Sequence, residues 1–348
     1  SNGGQNNANT SQDRTYYYEV FPSNNLQLGL WLESERMLHP IINQVGIDTQ
    51  IEVVKEEKRR SYDNRPYGQI LQAVGEALFS KHPYKDPNIG YMKDLEAATL
   101  EDVTAYNKLY YVPNNAVLTV AGDIDIAKTK KMIEDYFGPI KRGGDVVRNY
   151  PKEDPITVES KSVVYDQNIQ IPASIIAYRT PGFKERDAYV LEMISSYLSD
   201  GPSSKLYKKM VDEQKQALQV GAFNIGQEDY GMYLVFSLPV GETTLETLNT
   251  EIEEEIVKVR TELISESDYQ KLQNKFENEF VNSNSSVEGI AGSLATNYML
   301  YGDTSLINKE IDIYRSITRE EIKAVADKYL KPNQRVIIDY LPQEKPAN

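Results

Sequence analysis

Thr99-Leu-Glu-Asp-Val-Thr-Ala-Tyr-Asn-Lys-Leu-Tyr-Tyr-Val-Pro-Asn-Asn-Ala-Val117 returns without a gap as Thr318-Arg-Glu-Glu-Ile-Lys-Ala-Val-Ala-Asp-Lys-Tyr-Leu-Lys-Pro-Asn-Gln-Arg-Val336. Thr99 matches Thr318, Tyr110 matches Tyr329, Pro113 matches Pro332 and Asn114 matches Asn333. Each copy reads as a Thr-capped helix with acids in its first turn, where the helix dipole favours negative charge. A Pro-Asn turn follows, and then a β-branched stretch that predicts a strand, 116–121 in one copy and 335–341 in the other. A chance recurrence of a common helix–turn–strand unit rarely matches over both elements, so the pattern points to duplication.

Working outward, the second half reads strand (174–178), helix (186–198), helix (203–214), and two strands (218–225 and 232–239). Helices at 243–263, 265–281 and 286–300 then lead to the second copy of the repeat. The first half shows the same order from a later start: a strand at 15–20, helices at 26–38, 49–65 and 68–79, then the first copy. Strands are few and are not followed regularly by crossover helices, which favours α+β over a doubly wound sheet. The stretch 143–162 carries Gly143-Gly144, Pro151 and Pro155 among mixed charges and reads as a linker. The expected organisation is a first domain at 1–142 and a second, homologous domain at 163–348, each an antiparallel sheet backed by helices. The first lacks its leading strand and helix.

One residue in the first half is out of place. On a helical period, Gln50, Val54, Glu57 and Ser61 share a face, with Val53 beside it. Glu57 is thus expected on an inward stripe. A buried carboxylate needs a cation, a metal or hydrogen-bond donors. The ordinary solution is a half-exposed Glu paired with Lys58 or Arg60; the other is a metal ligand.

Composition narrows the chemistry. The 348 residues are 40% hydrophobic and carry a net charge of −14, an acidic balance that disfavours nucleic-acid binding. There are no cysteines, so thiolate metal sites and thiol nucleophiles are excluded within the chain. The two histidines, His39 and His82, each precede a proline and are not four residues apart, so the chain has no helical His pair for zinc. His82 reads as a loop hydrogen-bonder and His39 as a helix-end residue. No apolar run approaches the length of a membrane span.

A set of short matches, in order along the chain, resembles the pitrilysin/insulinase family of zinc metallopeptidases, to which the mitochondrial processing peptidase belongs. They include Gly4-Gln5-Asn6-Asn7-Ala8, Leu30-Trp31-Leu-Glu33-Ser-Glu35-Arg36-Met37, Val53-Val54-Lys55-Glu56-Glu57, Pro66-Tyr67-Gly68 and His82-Pro83-Tyr84. Asp13-Arg14-Thr15-x-Tyr17, Ile89-Gly90, Tyr111-x-Pro113-Asn114-Asn115-Ala116, Ala121-Gly122-Asp123 and Gly201-x-Ser203-Ser204-Lys205-Leu206-Tyr207 belong to the set as well. The resemblance implies the processing-peptidase/LuxS-like metallohydrolase fold and hydrolysis of extended peptides inside an enclosed chamber. It places the third zinc ligand at Glu57, an outer-shell position at Gln50, and the strand that receives substrate by backbone pairing at Asn7 and Ala8. Zinc is then the family's cofactor. The two histidine ligands and the general base of His-x-x-Glu-His are absent from this sequence. The chain by itself is therefore expected to bind no zinc and to be inactive, as a truncated piece whose missing segment carries the motif. The Arg and Tyr that assist at the scissile carbonyl in the family fall here on Val211 and Leu218. That implies a homo- or heterodimer in which a homologous subunit supplies the pair. The resemblance favours a bacterial periplasmic or envelope location. Two rivals share the fold: a non-catalytic structural partner, and a module that captures peptides without cleaving them.

Overall fold

The structure, a computed structural model, describes residues 3–343. In the first half, β1 (Gln5–Thr10) and β2 (Thr15–Val20) form an antiparallel hairpin. The helices α1 (Leu26–Leu38), α2 (Gln44–Lys58), α3 (Ile70–Leu78), α4 (Met92–Ala97), α5 (Leu100–Tyr110) and α6 (Ile126–Phe137) follow. The second half runs β3 (Ser160–Asp166), β4 (Ala173–Pro181), α7 (Arg186–Ser199), β5 (Ala217–Ile225) and β6 (Tyr230–Pro239). Then come α8 (Leu245–Thr261), α9 (Glu266–Ser283), α10 (Val287–Thr296), α11 (Leu306–Ser316), α12 (Arg319–Tyr329) and β7 (Arg335–Pro342). The protein is α+β, with sheets backed by helices.

The contacts divide the chain into two compact units. One contains residues 3–58, 88–149 and 280–309, the other residues 59–87, 150–279 and 310–343. Each unit takes up a stretch from the opposite half of the sequence: α3 packs in the second and α10 in the first.

In the second unit, five strands lie in the order β3-β7-β4-β6-β5, antiparallel except for the β3–β7 pair. β4 reads Ala-Ser-Ile-Ile-Ala-Tyr because it is central and buried on both faces. Alternation sends Ile176 and Tyr178 into one core and Ile175 and Ala177 into another. The first core is roofed by α7, α8 and α12: Leu248, Ile252, Ile256 and Val259 recur at helical spacing along α8, and all are buried. The second is closed by Val74 and Leu78 of α3 together with Phe79 and Tyr84.

The two copies of the repeat form the expected helices. Thr99 caps α5 and Thr318 caps α12, each in a full capping box with Asp102 or Glu321. Both helices are followed by a short 3-10 turn at the Pro-Asn pair. After that they diverge. Arg335–Pro342 is a strand paired on both sides, whereas 116–121 forms no strand, because no neighbour among the described residues offers it a ladder. Burial diverges too. Ile322 and Val325 are 1% and 4% exposed beneath α7 and α8, while their equivalents Val103 and Tyr106 are 37% and 56% exposed.

Candidate functional site

α2 begins earlier than its sequence suggests. Asn43 caps it, its Oδ1 accepting from the Gly46 N–H at 2.8 Å, and Gln44 Nε2 donates to Asp48 one turn on. Past Lys58 the helix widens into a π turn, Arg59–Asp63, before Pro66. Its inward stripe is Ile47, Ile51, Val54, Lys55 and Lys58, of which Ile47 and Lys58 are buried. Gln50, Val53 and Glu57 lie off this stripe, Gln50 and Glu57 along its flank, and are exposed. The expectation that Glu57 looks inward is thus corrected. The physical reason is that Ile47 and Ile51 set the buried face, and a stripe through Gln50 and Glu57 lies roughly a quarter turn away from it, with Val54 at the border between the two. The Glu57 carboxylate has no hydrogen bond or ion pair among the described residues, and neither has the Gln50 amide.

Asn7 and Ala8 form part of β1, opposite Tyr18 and Tyr17 of β2. All six β1 residues are exposed, and β1 is an edge strand. Behind β2, on the face that Ala8 shares with Tyr17 and Glu19, lies a polar cluster. Tyr17 and Tyr111 share a hydrogen bond between hydroxyls at 3.0 Å. The Arg36 guanidinium stacks 4.6 Å from the Tyr17 ring centroid and donates to both Glu33 carboxylate oxygens, from Nη2 at 2.9 Å and from Nε at 3.1 and 3.3 Å. Burial, then the charge of Glu33, lifts the Glu19 carboxyl to about 7. Burial and the bond to Tyr111 push Tyr17 up to about 12. The tyrosines and the Glu33/Arg36 pair were visible in the sequence only as parts of short matches. Their joint role in bracing β2 depends on the Glu33 and Arg36 side chains of α1 reaching Glu19 and Tyr17.

The second unit holds a network that sequence reasoning missed. Glu153, within the stretch read as linker, accepts from the N–H groups of Ser80, Lys81 and His82 at 2.6–2.9 Å and from the Ser80 hydroxyl at 3.1 Å. Arg179 Nη1 donates to it at 3.1 Å, with the Arg179 and Glu153 side chains only 9% and 3% exposed. Burial alone would raise this carboxyl. The hydrogen bonds from His82, Lys81 and Ser80 outweigh burial and hold it at about 2. His82 is buried: its Nδ1 accepts from the Tyr84 N–H, which leaves Nε2 to donate to Asp229 at 3.2 Å. His39 is exposed and pairs with Glu35. The Gly201-Pro-Ser203-Ser204 stretch is a turn in which Ser204 Oγ donates to the Gly201 carbonyl; Gly201 sits at φ 78°, which a glycine takes without strain. Val211 packs against the α7/α8 core, and Leu218 is exposed on the edge strand β5. A cavity of about 560 Å³ in this unit is lined by Glu159, Lys161, Glu253 and Arg335 and crossed by the Arg335–Glu253 pair; none of the predicted site residues lines it.

Could these residues hold zinc? Zinc takes three protein ligands at the least in catalytic sites. Among the described residues no group of three His, Cys, Asp or Glu side chains is placed to hold a metal. Glu57 brings one exposed carboxylate, so the residues present do not fit a complete zinc site.

The family model described as "Peptidase M16 inactive domain" matches residues 97–276, just over half of the chain. The chain belongs to the M16 peptidase family, the pitrilysin/insulinase-type zinc peptidases. The zinc protease PqqE of Helicobacter pylori is 27% identical over 342 residues, covering 98% of this chain and 77% of that protein. A zinc protease of Bacillus subtilis, YmxG, is 22% identical, with 93% of this chain and 78% of that one covered. Among solved structures, a protease from Helicobacter pylori superposes with a TM-score of 0.91 at 26% identity, covering 98% of this chain and 82% of that chain. A peptidase M16 inactive domain from Pseudomonas fluorescens superposes at 0.84 with 14% identity, covering 99% and 82%, which speaks for the fold alone.

Proposed function

We propose that this chain is the greater part of a zinc-dependent metalloendopeptidase subunit. In this reading Glu57 is the third metal ligand, Gln50 orients it, and Asn7-Ala8 receives the substrate strand. One observation carries the reading: a carboxylate and an amide lie two turns apart on one exposed helix face, and neither has a partner. Exposure without pairing is what a ligand needs if its metal is brought by other groups. Two histidines and a general base must then come from outside residues 3–343, and when bound the zinc would polarise water for peptide hydrolysis. Substrates would be extended peptides in an enclosed chamber. A homologous subunit would supply the Arg and Tyr that Val211 and Leu218 replace. The family repeats would be bounded at 1–142 and 163–348. Export to the periplasm belongs to the same proposal and rests on the resemblance.

The test compares the 348-residue chain with the product of its natural reading frame, by zinc content and by hydrolysis of a labelled peptide. The chain alone should hold well under one zinc per molecule and cleave nothing. The natural product should hold one, and Glu57→Gln should remove both zinc and cleavage without lowering the melting temperature. A natural product that carries no zinc would favour the non-catalytic partner instead.

A further inference from the structure

The free edge of β1 is not uniformly open. In an antiparallel ladder, residue pairs alternate between those that exchange hydrogen bonds and those whose N–H and C=O point away. Ser11 N–H donates to the Arg14 carbonyl at 2.9 Å, and the register from Thr10↔Thr15 to Gln5↔Val20 is unbroken. Ser11/Arg14 is therefore a bonded pair, and the main-chain groups of Thr10, Ala8 and Asn6 point outward. Two side-chain contacts agree with that parity. The Ala8 N–H donates to Asn7 Oδ1 at 2.8 Å, and the Thr10 carbonyl accepts from Asn88 Nδ2 at 2.6 Å. Both asparagines lie in the same compact unit as β1. Of the six outward groups, one donor and one acceptor are thus covered by the protein's own amides. An edge left bare is a template for unwanted pairing, and covering it is how folded proteins limit that hazard.

We propose that Asn7 is a displaceable guard on this edge and Asn88 a stop. An incoming extended peptide then pairs with Asn6 and Ala8 and no further towards Thr10. This rests on the reading of β1 as the substrate strand. A peptide residue opposite Ala8 must take the Ala8 N–H from Asn7, exchanging an intraresidue-neighbour bond for an inter-strand one. Asn7 is then a positioning residue that weakens promiscuous capture. Asn88 fixes where the paired segment ends, so only a short stretch of substrate backbone is clamped.

The experiment measures fluorescence anisotropy of a fluorescein-labelled dodecapeptide of alternating Ser and Val, at high salt, with the full 348-residue chain. A second dodecapeptide, N-methylated at every other residue, cannot pair and is the control. Asn7→Ala should bind the first peptide roughly 2- to 10-fold tighter, the range of one hydrogen bond regained. The Ala8 amide should exchange faster with solvent in the free variant. Asn88→Ala should let single N-methyl groups one pair further along the peptide begin to weaken binding. If the wild type binds and Asn7→Ala binds equally or more weakly, the guard is overturned while the substrate-strand reading stands. If neither binds the pairing-competent peptide better than the control, the substrate-strand reading itself falls. Both asparagines are on exposed backbone, and far-UV circular dichroism checks that the variants fold.

Discussion

Replacing Glu153 tests whether the stretch 150–158 is fastened to the second unit. The carboxylate is only 3% exposed and answers three backbone N–H groups, one hydroxyl and Arg179. Its carboxyl is held at about 2 against an ordinary 4.5. Each unit of such a difference corresponds to about 1.4 kcal/mol, so ionised Glu153 contributes on the order of 3 kcal/mol. A depressed carboxyl adds stability that is fully present above pH 4.5 and is lost as the pH falls towards 2. Glu153→Gln removes the charge and leaves Arg179, whose side chain is 9% exposed, with only the neutral Leu78 and Asp154 carbonyls and the new amide to donate to. Removing one partner of a buried pair costs about 3–5 kcal/mol. Urea unfolding at pH 7 should therefore show a loss of about 3 kcal/mol or more. The variant should also lose less stability than the wild type between pH 4.5 and pH 2. Hydrogen exchange read on the peptide spanning 78–84 localises the effect, since Ser80, Lys81 and His82 lose their acceptor. A loss below about 1 kcal/mol, or an unchanged dependence on pH, would show that Glu153 is a bystander.

Three further outcomes follow from the geometry. Val325→Lys should cost about 3 kcal/mol or more, because Val325 is 4% exposed, while Tyr106→Lys at the equivalent position should cost about 1 kcal/mol, the worth of its ring contact with Tyr110; equal losses in thermal melts would refute the difference in burial. Thr99→Ala and Thr318→Ala should each lose about 1 kcal/mol in urea unfolding, and a loss near zero at either would mean that its capping box is idle. Burial and then Glu33 raise the Glu19 carboxyl to about 7, so its ionisation opposes folding and the first unit should lose stability as the pH rises from 4.5 through 7. Solvent screens this half-exposed group, so the slope should be shallow; Trp31, the single tryptophan, reports it, and Glu19→Gln should abolish it or the assignment is wrong.

What was legible in the sequence was local. The caps at Thr99 and Thr318, the β2 span at 15–20 and the α1 span at 26–38 follow from side-chain-to-backbone chemistry and short periodicity, which do not depend on distant partners. Stretch 116–121 has strand composition and yet no ladder, because pairing is decided by a neighbour and not by the residues themselves. The face of α2 was misread for a related reason: Gln50–Glu57 and Ile47–Lys58 both recur at helical spacing, and only packing selects which is covered. Gly143-Gly144 and the prolines of 143–162 made that stretch look like a bare linker. Nothing in it shows that the N–H groups of residues 80–82 converge on Glu153. The exchange of α3 and α10 between the units is likewise invisible to any reading that proceeds along the chain.

The two copies of the helix–turn unit, at Thr99 and at Thr318, fall in different compact units, and the comparison of those units is uneven in one direction. In the second unit the hairpin β5–β6 is continued by β4 and β7, and the apolar face of α12 is sealed by α7 and α8. In the first unit the hairpin β1–β2 stands as two strands, the equivalent face of α5 keeps Val103 and Tyr106 in solvent, and Glu57 and Gln50 point outward without partners. These exposures differ in chemistry: a backbone edge, an apolar helix face and a bare carboxylate. On the proposed function the β1 edge would receive a substrate strand and Glu57 a metal ion, and each role needs an unpaired group of that kind. The side-chain covers on Ala8 and Thr10 then have a purpose that plain edge protection lacks. They leave Asn6 and the Ala8 carbonyl open, so the edge is narrowed and not closed.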